Sequence, residues 1–397
     1  MNDPATPAFR SRDFLIEHVQ RTMAFYHPRC IDAAGGFFHF FKDDGAIYDR
    51  ATRHLVSSTR FVFNYSMAWQ QFGEPAYRDA VRHGVAFLRE QHRDPDTGGY
   101  AWQLKDGVAE SRTQYCYGLA FVVLAYAKAI EAGVVEARAY LDETWELMER
   151  RFWDAQRGLY ADEATADWTL SPYRGQNANM HACEAMLAAF EATREPRYLQ
   201  RAALLADHMV NRQAALADGL VWEHYHADWT PDWDYNKGDR RNIFKPWGYQ
   251  PGHQAEWAKL LLILDRHLPA DWHLQRAREL FDRSIPQSWD ARHGGLVYGF
   301  DREGRFYDED KYFWVQAESL AAAALLAERS GEASYWQWYE RLWDYSWRHM
   351  VDHRYGAWYR ILTPDNRTYS DEKSPAGKTD YHTMGACYEV LKALSSP

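Results

Sequence analysis

The stretch Asp290-Ala-Arg-His-Gly-Gly295-Leu marks the end of one unit of a repeat that runs through the chain. Turns built around Asp and Gly interrupt helical sequence six times, at a spacing of about sixty residues. The other five turns are Asp32-Ala-Ala-Gly-Gly36-Phe, Asp94-Pro-Asp-Thr-Gly-Gly99-Tyr, Asp154-Ala-Gln-Arg-Gly158-Leu, Asp218-Gly219-Leu and Asp352-His-Arg-Tyr-Gly356-Ala. Each interval between turns is long enough for two helices. A fixed period of helix pairs indicates a repeat architecture.

Helical periodicity between the turns supports this interpretation. Apolar residues recur at three- and four-residue spacing, which predicts amphipathic helices. The predicted helices are 57–72, 78–91, 117–131, 137–151, 179–192, 197–213, 253–266, 272–283, 315–328, 333–348 and roughly 380–394. One helix of each pair is rich in Ala, Leu and Met, as an inner helix should be, and its partner is more charged. The sequence therefore predicts an all-α (α/α)6 barrel with short strands beside the turns, and residues 1–397 form one domain.

Charge and cysteine usage narrow the class of protein. The net charge of −10 argues against nucleic-acid binding, which needs a basic face. The first nine residues lack a basic region followed by an apolar run, and no stretch approaches the length of a membrane span. The four cysteines have no CxxC spacing, which is typical of free thiols in a reducing compartment. We expect a cytoplasmic protein with no nucleic-acid or membrane partner, either a monomer or a homodimer.

One interval between turns is longer than the rest. The extra sequence runs from Trp229 to Tyr249 and combines aromatic residues, charges, Gly and Pro without a helical period. Long loops in compact domains are usually functional, and the aromatic content argues against disorder. We expect this segment to form a lid over one mouth of the barrel. Within it, Asp239-Arg240-Arg241 is a local basic group suited to an anionic ligand.

Three segments at or just before inner helices carry histidines that a ring would direct into one cavity. They are Asn177-Ala-Asn-Met-His181-Ala-Cys-Glu184, Pro251-Gly-His253-Gln-Ala-Glu256-Trp257 and Lys378-Thr-Asp-Tyr-His382-Thr-Met-Gly385. In the first two, a Glu follows the His by three residues, on the same helix face. Imidazole exchanges protons near neutral pH, and a neighbouring carboxylate fixes its tautomer. Such pairs also resemble metal ligands in helix bundles, but no carboxylate-rich set complements them, so we expect no metal and no other cofactor.

The aromatic content leaves two interpretations open. Aromatic residues make up 16% of the chain, with 18 Trp and 26 Tyr. They fit a well-packed core, and they also fit a pocket whose ring faces receive the apolar faces of sugars. A glycoside hydrolase would need two facing carboxylates, for which Glu256 and Glu318 are candidates, but it would leave the three histidines unexplained. A binding protein without catalytic activity is a further alternative, which the presence of His253 and His382 disfavours.

Five motifs together resemble the N-acylglucosamine 2-epimerase superfamily, over essentially the whole chain. They are Ser-Thr-Arg60, Asn177-x-x-x-His181, Lys245-Pro-x-Gly-x-x-Pro-Gly-His253-x-x-Glu256-Trp257, Trp314-x-Gln-x-Glu318 and Lys378-Thr-Asp-Tyr-His382. The Pro251-Gly-His253-x-x-Glu256-Trp257 segment and the Lys378-Thr-Asp-Tyr-His382 motif are most similar to the branch of mannose and sulfoquinovose isomerases. The resemblance implies an (α/α)6 barrel that acts on a monosaccharide without a metal, as an aldose–ketose isomerase such as one that interconverts D-mannose and D-fructose. A sugar 2-epimerase on the same barrel is the alternative.

The resemblance also implies roles for individual residues. His382 is the expected base at C2 and C1 of the sugar, and His253, assisted by Glu256, acts in ring opening or as a second acid/base. Arg60 is expected to bind the carbonyl and enediolate oxygens. The expected substrate-binding residues are Asn177, His181, Glu184, Tyr117, Glu318, Trp314, Trp257 and Trp247, with the three tryptophans stacking on the sugar. A single base suffices for isomerisation, whereas 2-epimerisation needs bases on both faces, so the inventory of residues permits either reaction.

Overall fold

The computed structural model describes residues 7–239 and 242–394, and these contain twelve α-helices. The helices are α1 Arg12–Tyr26, α2 Leu55–Phe72, α3 Pro75–Phe87, α4 Cys116–Glu131, α5 Ala137–Arg151, α6 Gln176–Thr193, α7 Pro196–Asp207, α8 Pro251–His267, α9 Asp271–Ser288, α10 Phe313–Ser330, α11 Ala333–His349 and α12 Tyr381–Ala393. Short π-helical segments, Leu88–His92 and His208–Gln213, extend α3 and α7. None of the helices in the described ranges is both long enough and apolar enough to span a lipid bilayer.

The helices form two concentric rings. The inner ring consists of α2, α4, α6, α8, α10 and α12, each packed on the next, and α12 closes the ring by packing on α2. Each inner helix also packs on an outer partner, which is the next helix in the chain for the first five pairs, and α4, α8 and α10 contact the preceding outer helix as well. The predicted all-α (α/α)6 barrel is confirmed. The sequence analysis did not predict α1, which is the outer partner of α12 and so completes the sixth pair from the opposite end of the chain.

Inner and outer helices differ in composition because they differ in burial. Every residue of α8 from Pro251 to Asp265 is buried, and α10 is buried from Val315 to Ala327. Small side chains such as those of Ala321–Ala324 let neighbouring inner helices approach closely, which an enclosed ring requires. Outer helices such as α7 bury only one stripe.

The Asp–Gly turns have a common construction. In five of the six, the Asp side chain accepts a hydrogen bond from the backbone N–H two residues on, as Asp290 does from Arg292 at 2.8 Å. The glycine then adopts a left-handed conformation, such as φ +78° at Gly295, where an added Cβ would lie 2.3 Å from the Tyr345 ring. Three of the turn aspartates also pair with a buried cation 21 residues downstream, as Asp290 does with Lys311 at 2.6 Å.

In five repeats, a polar side chain near the start of the next inner helix forms a hydrogen bond with the backbone just after the Asp–Gly turn. Gln316 accepts from Leu296 N–H at 3.0 Å and donates to Leu296 C=O at 2.8 Å. The corresponding contacts of the other repeats are Gln114 with Tyr100, Asn179 with Tyr160, Gln254 with Val221, and Asp380 with Trp358. Because these contacts are buried, they fix where each inner helix begins relative to its turn.

Short antiparallel strands tie the repeats together at the mouth of the barrel where the inner helices begin. They are β1 Phe40–Lys42, β2 Ile47–Asp49, β3 Thr52–His54, β4 Gln103–Lys105, β5 Val108–Ala109, β6 Gln114–Tyr115, β7 Trp153–Asp154, β8 Leu159–Tyr160, β9 Glu163–Ala164, β10 Arg174–Gly175, β11 His224–Tyr225, β12 Gly299–Phe300, β13 Phe306–Asp308, β14 Lys311–Tyr312, β15 Ile361–Leu362 and β16 Glu372–Ser374. Strands that precede inner helices pair with the following repeat, as β6 does with β9 and β14 with β15. The β1–β16 pair joins the first repeat to the last.

Candidate active site

A cavity of about 90 Å³ opens at the mouth of the barrel where the inner helices begin, and all six inner helices contribute to it. The contributing residues, in the order of the helices, are Arg60, Tyr117, Asn177, His181, His253, Glu256, Trp314 and His382. We call this the front cavity. Because each of these helices starts here, their positive dipole ends surround it, which favours negative charge developing inside.

His382 is held by one carboxylate and one guanidinium. Its Nδ1 lies 2.6 Å from Glu318 Oε1, and its Nε2 lies 3.2 Å from Arg60 Nη2. The carboxylate requires the proton on Nδ1, which leaves the lone pair of Nε2 facing the front cavity. Burial, with a further contribution from the Arg60 charge, holds the pKa of His382 well below its usual value. The ring is therefore a neutral acceptor at neutral pH.

His253 also has a carboxylate partner, but this partner is Glu223 and not Glu256. His253 Nδ1 lies 2.9 Å from Glu223 Oε1, and Gln176 Nε2 donates to Glu223 Oε2 at 3.1 Å. Both carboxyl oxygens of Glu256 have no hydrogen-bond partner among the described residues. The predicted assistance of His253 by Glu256 is therefore corrected: three-residue spacing places them on one helix face, but the His253 ring turns toward the segment before β11.

The other predicted His–Glu pair forms as its spacing implies. His181 Nδ1 lies 2.9 Å from Glu184 Oε2, and Tyr381 donates a hydrogen bond to Glu184 Oε1. Burial lowers the pKa of His181, although the Glu184 hydrogen bond opposes this effect. For Glu184, burial acts in the opposite direction, but the His181 hydrogen bond and the Lys259 charge lower the pKa overall. His181 lines the front cavity, whereas Glu184 lies beneath it.

A buried cation lies under the histidines. Lys259 Nζ is 2.5 Å from Glu318 Oε2 and 3.8 Å from Glu256 Oε1. Burial and the neighbouring Glu318 charge raise the pKa of Glu256 well above its usual value. The pKa of Glu318 is also raised by burial, but Lys259 opposes that shift. Glu318 contacts both the Lys259 ammonium group and the His382 imidazole, whereas Glu256 lies farther from Lys259 and has no hydrogen-bond partner among the described residues. Glu318 is therefore the ionised member of this pair of carboxyl groups, and Glu256 carries the proton.

Two groups of side chains in this layer have the spacing of metal ligands. They are His181, Glu184 and Glu256, and Glu256, Glu318 and His382; within each group the ligand atoms lie within 4.8 Å of one another. The Lys259 ammonium supplies positive charge to the same carboxylates. A divalent ion at either group would have this cation as a neighbour, which disfavours binding.

Arg60 is fixed from several sides. Its Nη1 donates to Gly377 C=O at 2.5 Å, and its Nη2 lies 3.4 Å from the Tyr117 hydroxyl. The guanidinium also lies over the Phe121 ring, 4.6 Å from its centroid. A rigid donor beside the Nε2 atom of His382 is placed to bind the oxygen on the carbon next to the one from which that base removes a proton.

The three predicted tryptophans have different locations. Trp314 lines the front cavity, with ring centroids 4.8 Å from His253 and 5.9 Å from His382. Trp257 is fully buried, and its Nε1 donates to Gln176 Oε1 at 2.8 Å. Trp247 donates to Trp233 C=O at 2.6 Å in the base of the lid segment. Stacking on a sugar is therefore corrected for Trp257 and Trp247, whose rings are used in packing outside the cavity.

Several buried polar atoms of residues that line the front cavity have no hydrogen-bond partner among residues 7–239 and 242–394. They are Asn177 Oδ1, Arg60 Nε and the two Glu256 oxygens. Buried polar atoms are normally satisfied, so this set is poised for a ligand with several hydroxyl groups.

The segment predicted as a lid lies over the front cavity. Ile243 and Phe244 line the cavity, and the Phe244 ring contacts Trp102 and stacks with His54 at a centroid distance of 6.1 Å. Lys245 anchors the segment through Glu163 Oε2 at 3.1 Å. Of the predicted basic group Asp239-Arg240-Arg241, the two arginines lie outside the described residues.

The sequence analysis missed four residues of this site, namely Glu223, Gln176, Lys259 and Tyr381. Glu223 follows the Gly219 turn in an aromatic patch, where a carboxylate has no evident structural use. Lys259 stands three residues after Glu256 on an inner helix that is buried from Pro251 to Asp265. A charged residue on a fully buried helix is the signal that would have identified it.

Comparison with known proteins gives the family. The model of the N-acylglucosamine 2-epimerase (GlcNAc 2-epimerase) family matches residues 36–386. The chain belongs to this family. It is similar to a protein named D-mannose isomerase from Marinomonas mediterranea, with 55% identity over 98% of this chain and 99% of the relative.

Solved structures agree with this assignment. A crystal structure of D-mannose isomerase matches with a TM-score of 0.96 and 55% identity, covering 97% of this chain and 99% of the other. The structure of a cellobiose 2-epimerase from Spirochaeta thermophila matches with a TM-score of 0.87 and 25% identity, covering 98% of this chain and 99% of the other.

Proposed function

We propose that this protein is a metal-independent aldose–ketose isomerase that interconverts D-mannose and D-fructose. One observation carries the proposal: the unprotonated Nε2 of His382, a base, lies 3.2 Å from the Arg60 guanidinium, an oxyanion donor. Isomerisation through an enediol needs a base that removes the proton from C2 and a donor that stabilises the charge on the carbonyl oxygen of C1. The names of the full-length relatives support mannose as the substrate.

In the proposed reaction, the ring form of the sugar first opens. His253 exchanges a proton with the ring oxygen and the anomeric hydroxyl, and Glu223 fixes its tautomer through Nδ1. The neutral carboxyl of Glu256 donates a hydrogen bond to a sugar hydroxyl. Asn177, Tyr117 and His181 bind further hydroxyl groups, and the Trp314 ring packs on the sugar between the two histidines.

The open-chain aldose then loses its C2 proton to His382 Nε2. The electron pair of the C–H bond forms the C1–C2 double bond of a cis-enediol, while Arg60 stabilises the charge that develops on the carbonyl oxygen. A proton passes from the C2 hydroxyl to O1, and the same nitrogen returns its proton to C1, which leaves the C2 carbonyl of the ketose. Glu318, on Nδ1 of the same ring, stabilises the imidazolium that forms between these two steps.

The barrel acts as one catalytic domain in this proposal, since each inner helix supplies at least one residue of the front cavity. We also infer a cytoplasmic enzyme that is a monomer or a homodimer. The four cysteines are free and buried, which suits a reducing compartment.

The test is proton NMR of D-mannose with the purified protein in deuterated buffer containing EDTA. Fructose that carries deuterium at C1 supports a metal-independent enediol reaction, and H382N is the matched inactive control. Glucose in place of fructose would favour the 2-epimerase. Loss of turnover in EDTA would contradict metal independence. Turnover of no sugar would contradict the proposal as a whole.

A hydrolase is a weaker candidate. Glu256 and Glu318 would be its carboxylates, but they lie on one side of the cavity, with ligand oxygens within 4.8 Å of each other. They also share one lysine. Glycosidases place their carboxyl groups on opposite sides of a scissile bond, at roughly 5 to 9.5 Å.

A further inference from the structure

The barrel has a second opening that the proposed reaction does not use. A rear cavity of about 60 Å³ lies on the side where the inner helices end. Lys128 and Lys392 line it near the opening, and Glu184, Lys259 and Glu318 form its inner wall. The acidic layer beneath the histidines therefore separates the front cavity from the rear one. Lys259 is the cation of that layer.

The geometry points to Lys259 as a positioning residue for the proposed isomerisation: its ammonium group holds Glu318 as a carboxylate against His382 Nδ1, and so keeps His382 Nε2 free to accept the sugar's proton. The argument rests on two short contacts through opposite oxygens of one carboxyl group. Glu318 Oε2 is 2.5 Å from Lys259 Nζ, and Glu318 Oε1 is 2.6 Å from His382 Nδ1. Lys259 thus reaches the base without contacting the front cavity.

The alternative arrangement, in which Glu318 carries a proton and Glu256 is ionised, is disfavoured by these contacts. Two buried carboxyl groups this close cannot both be charged at low cost, so one retains a proton. The ammonium group is much nearer to Glu318 than to Glu256, at 2.5 Å against 3.8 Å. Without Lys259, nothing among the described residues would select Glu318 as the ionised member by an ion pair.

Other charged and titratable groups around Lys259, Glu256 and Glu318 leave this assignment unchanged. From the neighbouring inner helices these are Arg60, Tyr117, His181, Glu184, Tyr381 and His382, and in the rear cavity Lys128, Glu389 and Lys392. Glu184 is committed to His181 and Tyr381. Lys128 is paired with Glu131 at 3.0 Å, and Lys392 with Glu389 at 2.7 Å. Lys259 is therefore the cation that Glu318 contacts directly.

Replacing Lys259 with methionine removes the charge and keeps most of the volume. A nearby opposite charge changes a carboxyl or imidazole pKa by about one to three units. In K259M the His382–Glu318 pair therefore binds a proton at higher pH, and the acid limb of kcat/KM for mannose moves up by at least about one pH unit. At a pH on the acid limb, turnover falls roughly tenfold or more as a consequence, with little change in KM. The matched control is K128M, which removes another buried lysine from the rear cavity and keeps the wild-type pH profile.

A second readout is independent of turnover. Nitrogen-15 NMR of histidine-labelled protein reports the protonation of His382, whose signals are assigned with H382N. In K259M the titration midpoint of His382 moves to higher pH. An unchanged midpoint overturns the proposal, whether or not mannose is the substrate; failure of the wild type to make fructose would instead refute the proposed function.

Chemical rescue separates charge from packing. K259A leaves a space that is continuous with the rear cavity, so ethylammonium added to the assay reaches Glu318. Recovery of activity with ethylammonium, but not with ethanol of similar size, supports the role of the charge. Equal loss of kcat at every pH, without rescue and without a change in the His382 titration, would mean that Lys259 only packs.

Discussion

His253 Nδ1 lies 2.9 Å from Glu223 Oε1, a carboxylate thirty residues earlier in the chain, and not beside the glutamate on its own helix. This relationship fixes the tautomer of His253, with the proton on Nδ1 and the lone pair of Nε2 on the other side of the ring. Gln176 Nε2 donates to Glu223 Oε2 at 3.1 Å, and Trp257 Nε1 in turn donates to Gln176 Oε1 at 2.8 Å.

E223Q is therefore expected to impair the reaction more than its small change in shape suggests. The amide can donate to Nδ1, which moves the imidazole proton to Nε2 and removes the acceptor. We expect kcat to fall about 10²- to 10⁴-fold, as for other enzymes whose catalytic histidine loses its tautomer. Nitrogen-15 NMR of the His253 ring checks the tautomer directly. E256Q should leave that tautomer in place; a His253 spectrum that changes in E256Q and not in E223Q would contradict the assignment.

Glu256 gives a prediction for the pH dependence of stability. Its pKa is raised in the folded protein by burial and by the Glu318 charge, so the folded state binds the proton more strongly than the unfolded state. The free energy of unfolding therefore falls as pH rises above about 4.3, the usual Glu pKa. E256Q is neutral at every pH and lacks this loss. Urea unfolding at pH 5 and pH 8 should show E256Q gaining stability relative to wild type at the higher pH. A constant difference between the two proteins would mean that Glu256 is ionised when folded.

H382N should remove proton transfer while leaving sugar binding nearly intact. Asparagine keeps a polar group near Glu318 and Arg60 but cannot accept a proton from carbon. We expect kcat to fall by at least about 10²-fold, and exchange of the C1 protons of fructose with deuterated solvent to stop. Calorimetric titration with fructose tests whether binding persists. Undiminished exchange in a folded H382N protein would assign the base to another residue.

The side-chain contact between Gln316 and Leu296 predicts a cost in stability. Q316L leaves the buried N–H and C=O of Leu296 without partners, and each such group costs about 1 to 3 kcal/mol. We expect a total loss of roughly 2 to 4 kcal/mol in the free energy of unfolding, measured with denaturant. Q275L changes an exposed glutamine on an outer helix and should stay within about 0.5 kcal/mol of wild type. Similar effects for the two variants would show that the Gln316 contact does not hold the turn.

Much of the fold could be predicted from the sequence, because it depends on patterns of residues that are close together in the chain. The Asp–Gly turns, the period between them and the contrast between inner and outer helices each depend on residues close in the chain. The helix that was missed, α1, has its partner α12 at the other end of the chain, and no local pattern links Leu15 or Val19 to that partner. Helix α9 was predicted to end near residue 283 but continues through Pro286 to Ser288.

For the candidate site, the sequence by itself determined which helices carry the histidines and that those helices share one cavity. The resemblance to the family implied that Arg60, Asn177, Tyr117 and Trp314 belong to the site, and all four line the front cavity. Only the tertiary structure decided the partners: Glu223 for His253, Glu318 and Lys259 for His382, and packing roles for Trp257 and Trp247. Helical spacing fixes the face on which a side chain lies, but the rotation of its ring and the proton it carries depend on charges brought from other repeats by the closure of the barrel.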